Sequence, residues 1–325
     1  MQEKLFDFDV TLSLFDGISC GQEALKKAGI TTRIYLASEI EKAPKLVTRK
    51  NHPLTVMLGD VRNVKGENLP KIDLLLAGSP CQGFSKANNK HTNFEHPQSK
   101  LFFEFIRILK ECKPKYFLLE NVQMKQEHQD TISSYLGIKP QKINSSLFTA
   151  QNRVRLYWWG KRVNNQYVQM PINPITDKEV LLNQILEERQ PDLHLKNNHA
   201  NISINNDKKI LTIKEATKKG YTEIKDGDCF DATFLNSKTR RGRNMKYKSN
   251  CLTAANYDYM RYEHPSYRKL TVNECLKLQT LPDNYLDCVD DKGKEISNNA
   301  KFKALGNGWT VDVITHIFKG LNNYA

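Results

Sequence analysis

The chain has 325 residues, enough for one large domain or two modest ones with ample core. Its 49 Lys and Arg against 36 Asp and Glu leave a net charge of +13, which favours a polyanionic partner such as nucleic acid, although basic proteins without one are common. No apolar run reaches membrane-spanning length, residues 1–10 lack a signal-peptide pattern and the seven cysteines include no CxxC pair, so a cytoplasmic protein without disulfides or metal is expected.

Residues 9–15 form the first expected strand, rich in β-branched and apolar side chains and stopping at the turn Asp16-Gly17-Ile18-Ser19-Cys20-Gly21. A helix over 22–28 follows, closed by Gly29. Residues 33–38 form a second strand ending at Glu39, a helix covers 42–50, and 55–58 form a third strand ending at Gly59 and Asp60. The apolar run 74–77 is the fourth; Gly78 and Pro80 end it and put Cys81 just past its carboxyl end. Leu101, Phe102, Phe105, Ile106 and Leu109 share one face of a helix over 100–111, and 116–119 form a fifth strand ending at Glu120. Strands alternating with helices indicate a doubly wound, mostly parallel α/β sheet. Asp16, Glu39, Asp60, Cys81 and Glu120 all follow strands, so they are expected along its carboxyl edge, where ligands of such sheets bind.

Residues 150–159 close this half as a strand on which Arg153 and Arg155 share a face. Periodicity weakens from 161 to 250, which reads as a smaller, irregular domain. Its stretch 236–250 holds Lys238, Arg240, Arg241, Arg243, Lys246 and Lys248 and no acidic residue. Thr271 and Glu274 have the spacing of a capping box, and a last helix over 311–321 follows Leu305-Gly306-Asn307-Gly308-Trp309. The expected organisation is 1–160, 161–250 and 251–325, the last part returning to the first.

Taken singly, a strand-end cysteine is more often a buried thiol and a strand-end carboxylate a helix cap. Together they suggest chemistry. The turn at 16–21 matches neither GxGxxG nor a P-loop, which argues against a pyrophosphate or triphosphate ligand. A helix start beside Gly17 suits a carboxylate, Glu39 a ribose diol and Asp60 an adenine amino group. These features sketch an adenosine-bearing ligand without a phosphate chain, which S-adenosylmethionine fits. A Cys81 thiolate adding to C6 of a pyrimidine would put negative charge on the ring. Glu120 at N3 and Arg153 at O2 would relieve it, and C5 could then attack a sulfonium methyl. Strand-end capping for Glu120, and phosphate contact or a solvated face for Arg153 and Arg155, are the alternatives. The zinc-deaminase signature is absent, since Pro80-Cys81 is followed by Gln82, Gly83 and Phe84.

Ser79-Pro80-Cys81-Gln82-Gly83-Phe84-Ser85, Glu120-Asn121-Val122, Gln151-Asn152-Arg153-Val154-Arg155, residues 268–282 and Gly306-Asn307-Gly308-Trp309 occur in the order seen in the DNA (cytosine-5) methyltransferases. The chain resembles that family from Leu14 to about Leu321. The resemblance implies a Rossmann-like methyltransferase fold with a target recognition domain. It also implies methyl transfer from S-adenosylmethionine to C5 of a flipped-out cytosine in duplex DNA, through a Cys81–C6 adduct. It carries the N3 contact to Glu120 and the O2 contact to Arg153, with Arg155 beside them. Cofactor contacts carry to Phe15, Asp16, Gly17, Ile18, Gly21, Glu39, Ile40, Asp60, Val61, Pro80, Asn307 and Trp309. Gln82 and Ser85 would lie on a loop closing over the base, and Arg240, Arg241 and Arg243 would contact DNA unless they form only a solvated charge run. A restriction endonuclease of the same system is a further expected partner, no membrane is, and the oligomeric state stays open. Ser19-Cys20 and Trp309 depart from most bacterial members, while Phe15-Asp16-Gly17-Ile18, Ala37-Ser38-Glu39, Gly59-Asp60-Val61-Arg62, residues 101–105 and Trp309 are similar to the animal de novo methyltransferases, which act in oligomers and favour CpG. Two other readings are a tRNA cytosine-5 methyltransferase with the same chemistry and a non-catalytic DNA-binding derivative. The intact Cys81, Glu120 and Arg153 weigh against the last.

Overall fold

Leu74 and Leu76 face one side of the central sheet and Leu75 and Ala77 the other, all four fully buried. A strand that is apolar on both faces needs a cover on both, which dictates a layered α/β arrangement. The computed structural model describes residues 7–79, 97–188, 194–195, 200–254 and 259–321. Its main sheet holds β1 (Asp7–Leu14), β2 (Thr31–Ser38), β3 (Val56–Met57), β4 (Leu74–Gly78), β5 (Tyr116–Val122), β6 (Gln141–Asn144), β7 (Val154–Val163) and β8 (Gln166–Gln169). The order is β3-β2-β1-β4-β5-β7-β6, with β8 paired to β7. Strands β1 to β5 are parallel, and β7 runs antiparallel to β5. The winding reverses between β1 and β4, which opens a crevice at their carboxyl ends.

Helices α1 (Cys20–Ala28) and α2 (Lys42–Asn51) cover one face, and α3 (Pro97–Cys112) and α4 (Gln126–Leu136) the other. Phe102, Phe105 and Leu109 of α3 pack with Leu75 and Ala77, each such side chain contributing roughly 1.5–3 kcal/mol of burial. The five expected strands and three of the helices thus lie where the pattern put them.

A second, smaller unit follows. Strand β9 (His194–Leu195) precedes β10 (Ile202–Asn205), β11 (Ile210–Lys214) and β12 (Tyr221–Lys225), which form a three-stranded antiparallel sheet. Strands β13 (Cys229–Asp231), β14 (Asn244–Met245), β15 (Tyr259–Glu263) and β16 (Ser266–Lys269) join β9 in a sheet of order β14-β13-β15-β16-β9. The two sheets share a core of Leu211, Ile213, Ile224, Phe230 and Tyr262. The strands of these two sheets span 194–269, against the expected division at 161–250. Asn164 and Asn165, both at positive φ, make a tight turn that folds β8 back onto the main sheet, and β15 and β16 pair within the small one.

The chain then returns through α5 (Val272–Leu278), α6 (Asn298–Asn307) and α7 (Val311–Lys319). The Thr271 hydroxyl accepts from Glu274 N–H at 3.0 Å and the Glu274 carboxylate from Thr271 N–H at 2.8 Å, completing the expected capping box. Helix α7 packs beside α1, with Ile314, Ile317 and Phe318 buried in the core of that face. Among the described residues, no helix is long and apolar enough to cross a membrane.

Candidate active site

Strand β5 runs past Leu119 to Val122, so Glu120 lies within the ladder with its Cα opposite Gly78 at the end of β4. A side chain at Gly78 would come within 2.8 Å of Trp309 Nε1; its absence lets the indole cross the strand end. Trp309 Nε1 then donates to Glu120 Oε2 at 3.2 Å, while Arg155 Nε lies 3.0 Å from Oε1. Both carboxylate oxygens are therefore held, and the group is 8% exposed. Asn121 Nδ2 donates to Ser79 Oγ at 3.0 Å, tying β5 to the residue that leads into Pro80 and Cys81. Pro80, Cys81, Gln82 and Ser85 lie outside the described residues.

Arg153 precedes β7 and is 2% exposed. Its Nη1 donates to Leu252 O at 2.8 Å, and its Nη2 to Gly306 O at 3.1 Å and Gly308 O at 2.8 Å. The terminal nitrogens of Arg153, the residue expected at O2, thus staple the start of β7 to two distant segments. Arg155, one step along the same face, is the arginine that reaches Glu120. Its Nη1 donates to Val154 O at 2.8 Å and its Nη2 approaches Cys251 Sγ at 3.7 Å. Gln151, fully buried, donates to Leu278 O and accepts from Leu252 N–H, so this whole motif also assembles the C-terminal part. A Cβ at Gly306 would sit 2.2 Å from the Thr253 carbonyl carbon, so only glycine lets these backbones approach so closely.

The other end of the crevice is a loop in left-handed conformations, with Phe15, Gly17 and Ser19 at φ 56, 60 and 58. Gly17 N–H donates to Glu39 Oε2 at 2.9 Å, and the Ile40 and Glu41 N–H groups to Oε1, both at 2.7 Å. A Cβ at Gly17 would meet nothing, so the turn faces open space. Asp16 accepts from Tyr35 OH at 3.0 Å and from the Ser19 hydroxyl; burial pushes its pKa up to about 6. Asp60 caps the turn at Val61–Asn63 through Arg62 N–H and pairs with the Arg62 guanidinium, which lowers its pKa. Ile18 and Val61 are buried, whereas Ile40 and Asn307 are exposed. Gly21 serves packing: a Cβ there would meet Leu76 Cδ1 at 2.8 Å. Among the described residues, no group of three or more His, Cys, Asp or Glu could hold a metal ion.

The three recognition-region arginines differ in kind. Arg243 is 1% exposed, its Nη1 donating to Asp231 O and Thr233 O and its Nη2 to Phe234 O. Arg243, expected to contact DNA, is thus turned into its own loop. Arg240 pairs with the Asp231 carboxylate, and Arg241 is exposed with Nε on Ala216 O. Beside them, a hollow of about 560 Å³ is lined by Ala232, Phe234, Leu235, Asn236 and Ser237. Cys251, which sits between both arginines, carried no signal in the pattern, and the Trp309 indole, expected at the cofactor, lies on Glu120.

The model of the family described as C-5 cytosine-specific DNA methylase matches residues 10–323. Type II methyltransferase M.FnuDI of Fusobacterium nucleatum is 28% identical over 322 residues, covering 88% of this chain and 89% of the relative. Type II methyltransferase M1.ScrFI of Lactococcus lactis subsp. cremoris is 30% identical over 279 residues, covering 79% of this chain and 64% of that longer relative. Among solved structures, the Entamoeba histolytica methyltransferase EhMeth superposes with a TM-score of 0.66 at 19% identity, covering 98% of both chains. A mutant DNMT2 of Spodoptera frugiperda superposes with a TM-score of 0.63 at 20% identity, covering 96% of this chain and 99% of that one.

Proposed function

The chain belongs to the C-5 cytosine-specific DNA methylase family and is a DNA cytosine-5 methyltransferase, and from that premise we propose how its residues divide the work. Cys81 is the nucleophile that adds to C6 of a cytosine flipped out of duplex DNA, because C6 is closed to attack within the base stack. Glu120 gives a proton or hydrogen bond to N3, and Arg155, in place of Arg153, faces O2 as charge develops on the ring. Loss of the C5 proton after methylation expels Cys81. The observation that carries this reading is the Glu120 carboxylate, held by Arg155 and Trp309 at the strand end beside Ser79, two residues before Cys81.

S-adenosylmethionine, when bound, supplies an electrophilic methyl group. The residues present fit such a ligand. Open space at Gly17 leaves room for close backbone approach, and the Glu39 carboxylate, oriented by three backbone N–H groups, suits a ribose diol. Phe15, Ile18, Ile40, Asp60, Val61 and Trp309 would complete the contacts, with the exposed Asn307, two positions before Trp309, beside them in sequence. Duplex DNA is the proposed partner, with Arg240 and Arg241 as recognition-region contacts and a cognate restriction endonuclease as the second component of the system.

The test incubates the protein and its Cys81→Ser variant with labelled S-adenosylmethionine and, separately, duplex DNA, single-stranded DNA and tRNA. Label in duplex DNA as 5-methylcytosine, lost in the variant, is the expected result. Label in tRNA alone, or an active Cys81→Ser variant, would overturn the substrate or the nucleophile assignment.

A further inference from the structure

Glu120, Arg155, Cys251 and Arg153 form one chain of contacts across the crevice. Arg155 Nε meets Glu120, its Nη1 meets a carbonyl of its own strand, and its Nη2 meets Cys251 Sγ at 3.7 Å. The same sulfur lies 3.5 Å from Arg153 Nη1, and its S–H is directed at Leu252 O, 3.4 Å away, the carbonyl that Arg153 also holds. Arg153 is fixed by carbonyls from three residues, so the sulfur rests against an immobile cation and faces a second, catalytic one. Leu252 N–H on Gln151 and Tyr259 OH on the Cys251 carbonyl fix the backbone on both sides of it.

We propose that Cys251 is a positioning residue: it sets the orientation of the Arg155 guanidinium about Glu120 and so fixes the face that Arg155 presents to the cytosine. The inference rests on the assignment of Arg155 and Glu120 to the cytosine pocket. A sulfur acceptor suits this place because it is soft and weak. It biases Arg155 without competing with a substrate carbonyl, whereas a carboxylate there would capture the guanidinium. The surroundings agree. Burial acts to raise the thiol pKa, but the charges of Arg155 and Arg153 and their hydrogen bonds outweigh it, and the net direction is down. The thiol is coupled to both arginines and takes no part in the chemistry. Cys251 follows Asn250, whose Nδ2 holds Gly242 O in the recognition region, so the same short segment joins target recognition to the catalytic arginine.

The experiment combines Cys251→Ala and Cys251→Ser with Arg155→Lys, measured by single-turnover methyl transfer to duplex DNA. In parallel, pH-dependent alkylation of Cys251 is followed on its peptide by mass spectrometry. We expect Cys251→Ala to lower the transfer rate roughly five- to tenfold, the size of one ordinary hydrogen bond lost, as suits a weak sulfur acceptor, with KM for DNA unchanged. Cys251→Ser should recover most of that loss, and Cys251→Ala should add little in the Arg155→Lys background. The alkylation midpoint of Cys251 should rise when Arg155 is replaced by methionine, a readout that needs no activity. An unchanged midpoint, a loss that persists in full without Arg155, or no rescue by serine would each overturn the proposal. Absence of transfer by the wild type with the midpoint shift intact would instead count against the cytosine pocket while leaving the Cys251–Arg155 coupling standing.

Discussion

The start of β7 and the loop between β13 and β14 use the same device to opposite ends. Arg153 and Arg243 are both buried arginines whose terminal nitrogens sit on backbone carbonyls. Arg243 closes carbonyls 9 to 12 residues away and so shapes one loop of the small unit. Arg153 reaches carbonyls 99 to 155 residues away and so holds the candidate site together from parts far apart in sequence. The contrast shows that a buried guanidinium by itself says nothing about function. What matters is which segments it joins, and of these three arginines Arg155 is the one with a carboxylate in reach, as the proposed chemistry requires.

The sharpest test of that contrast separates chemistry from assembly. Glu120→Gln should lower kcat about 10²- to 10⁴-fold while leaving cofactor and duplex binding intact, as judged by calorimetry. A variant of unchanged rate would remove Glu120 from the mechanism. Next, Arg153→Met removes three charge-assisted hydrogen bonds to buried carbonyls and should cost about 3 kcal/mol or more, lowering Tm by several degrees. Arg243→Met should leave the transfer rate on saturating DNA near wild type and lose target affinity instead. Equal effects of the two on rate would erase the distinction drawn here.

A smaller effect concerns Asp16. Burial raises its folded pKa to about 6, above its unfolded value, so the folded state keeps the proton longer as pH rises. Stability relative to Asp16→Asn should therefore fall between about pH 4 and pH 6 and level off above, by about 1–3 kcal/mol in all. Thermal melts of both proteins from pH 4.5 to 7.5 read this as a widening gap; a constant gap would place Asp16 in water. The smallest expected effect is at exposed Arg241. Its replacement by alanine should weaken duplex binding evenly across sequences and reduce the salt slope by about one ion.

Much of the main sheet was legible because its strands are short apolar runs stopped by polar residues, a pattern with little ambiguity. The small unit was not, since β9, β13 and β14 are two or three residues long and paired across up to about seventy positions, below any periodicity signal. The β7–β8 turn was readable in principle, as two consecutive asparagines tolerate positive φ, but no apolar alternation marks β8. The roles within the catalytic motif were the hardest to read. Arg153 and Arg155 are the same residue type two positions apart, and sequence offers no reason to prefer either.

By itself, then, the sequence determined the order of strands and helices in the main sheet, the polar residues that end its strands and the family resemblance, because all three are encoded in local pattern and motif order. Tertiary structure decided which arginine meets Glu120, that Trp309 braces the same carboxylate, that Arg243 is buried and that Cys251 lies between two guanidinium groups. These depend on segments up to about 190 residues apart converging on one point. A chain written in one dimension carries no distance between them.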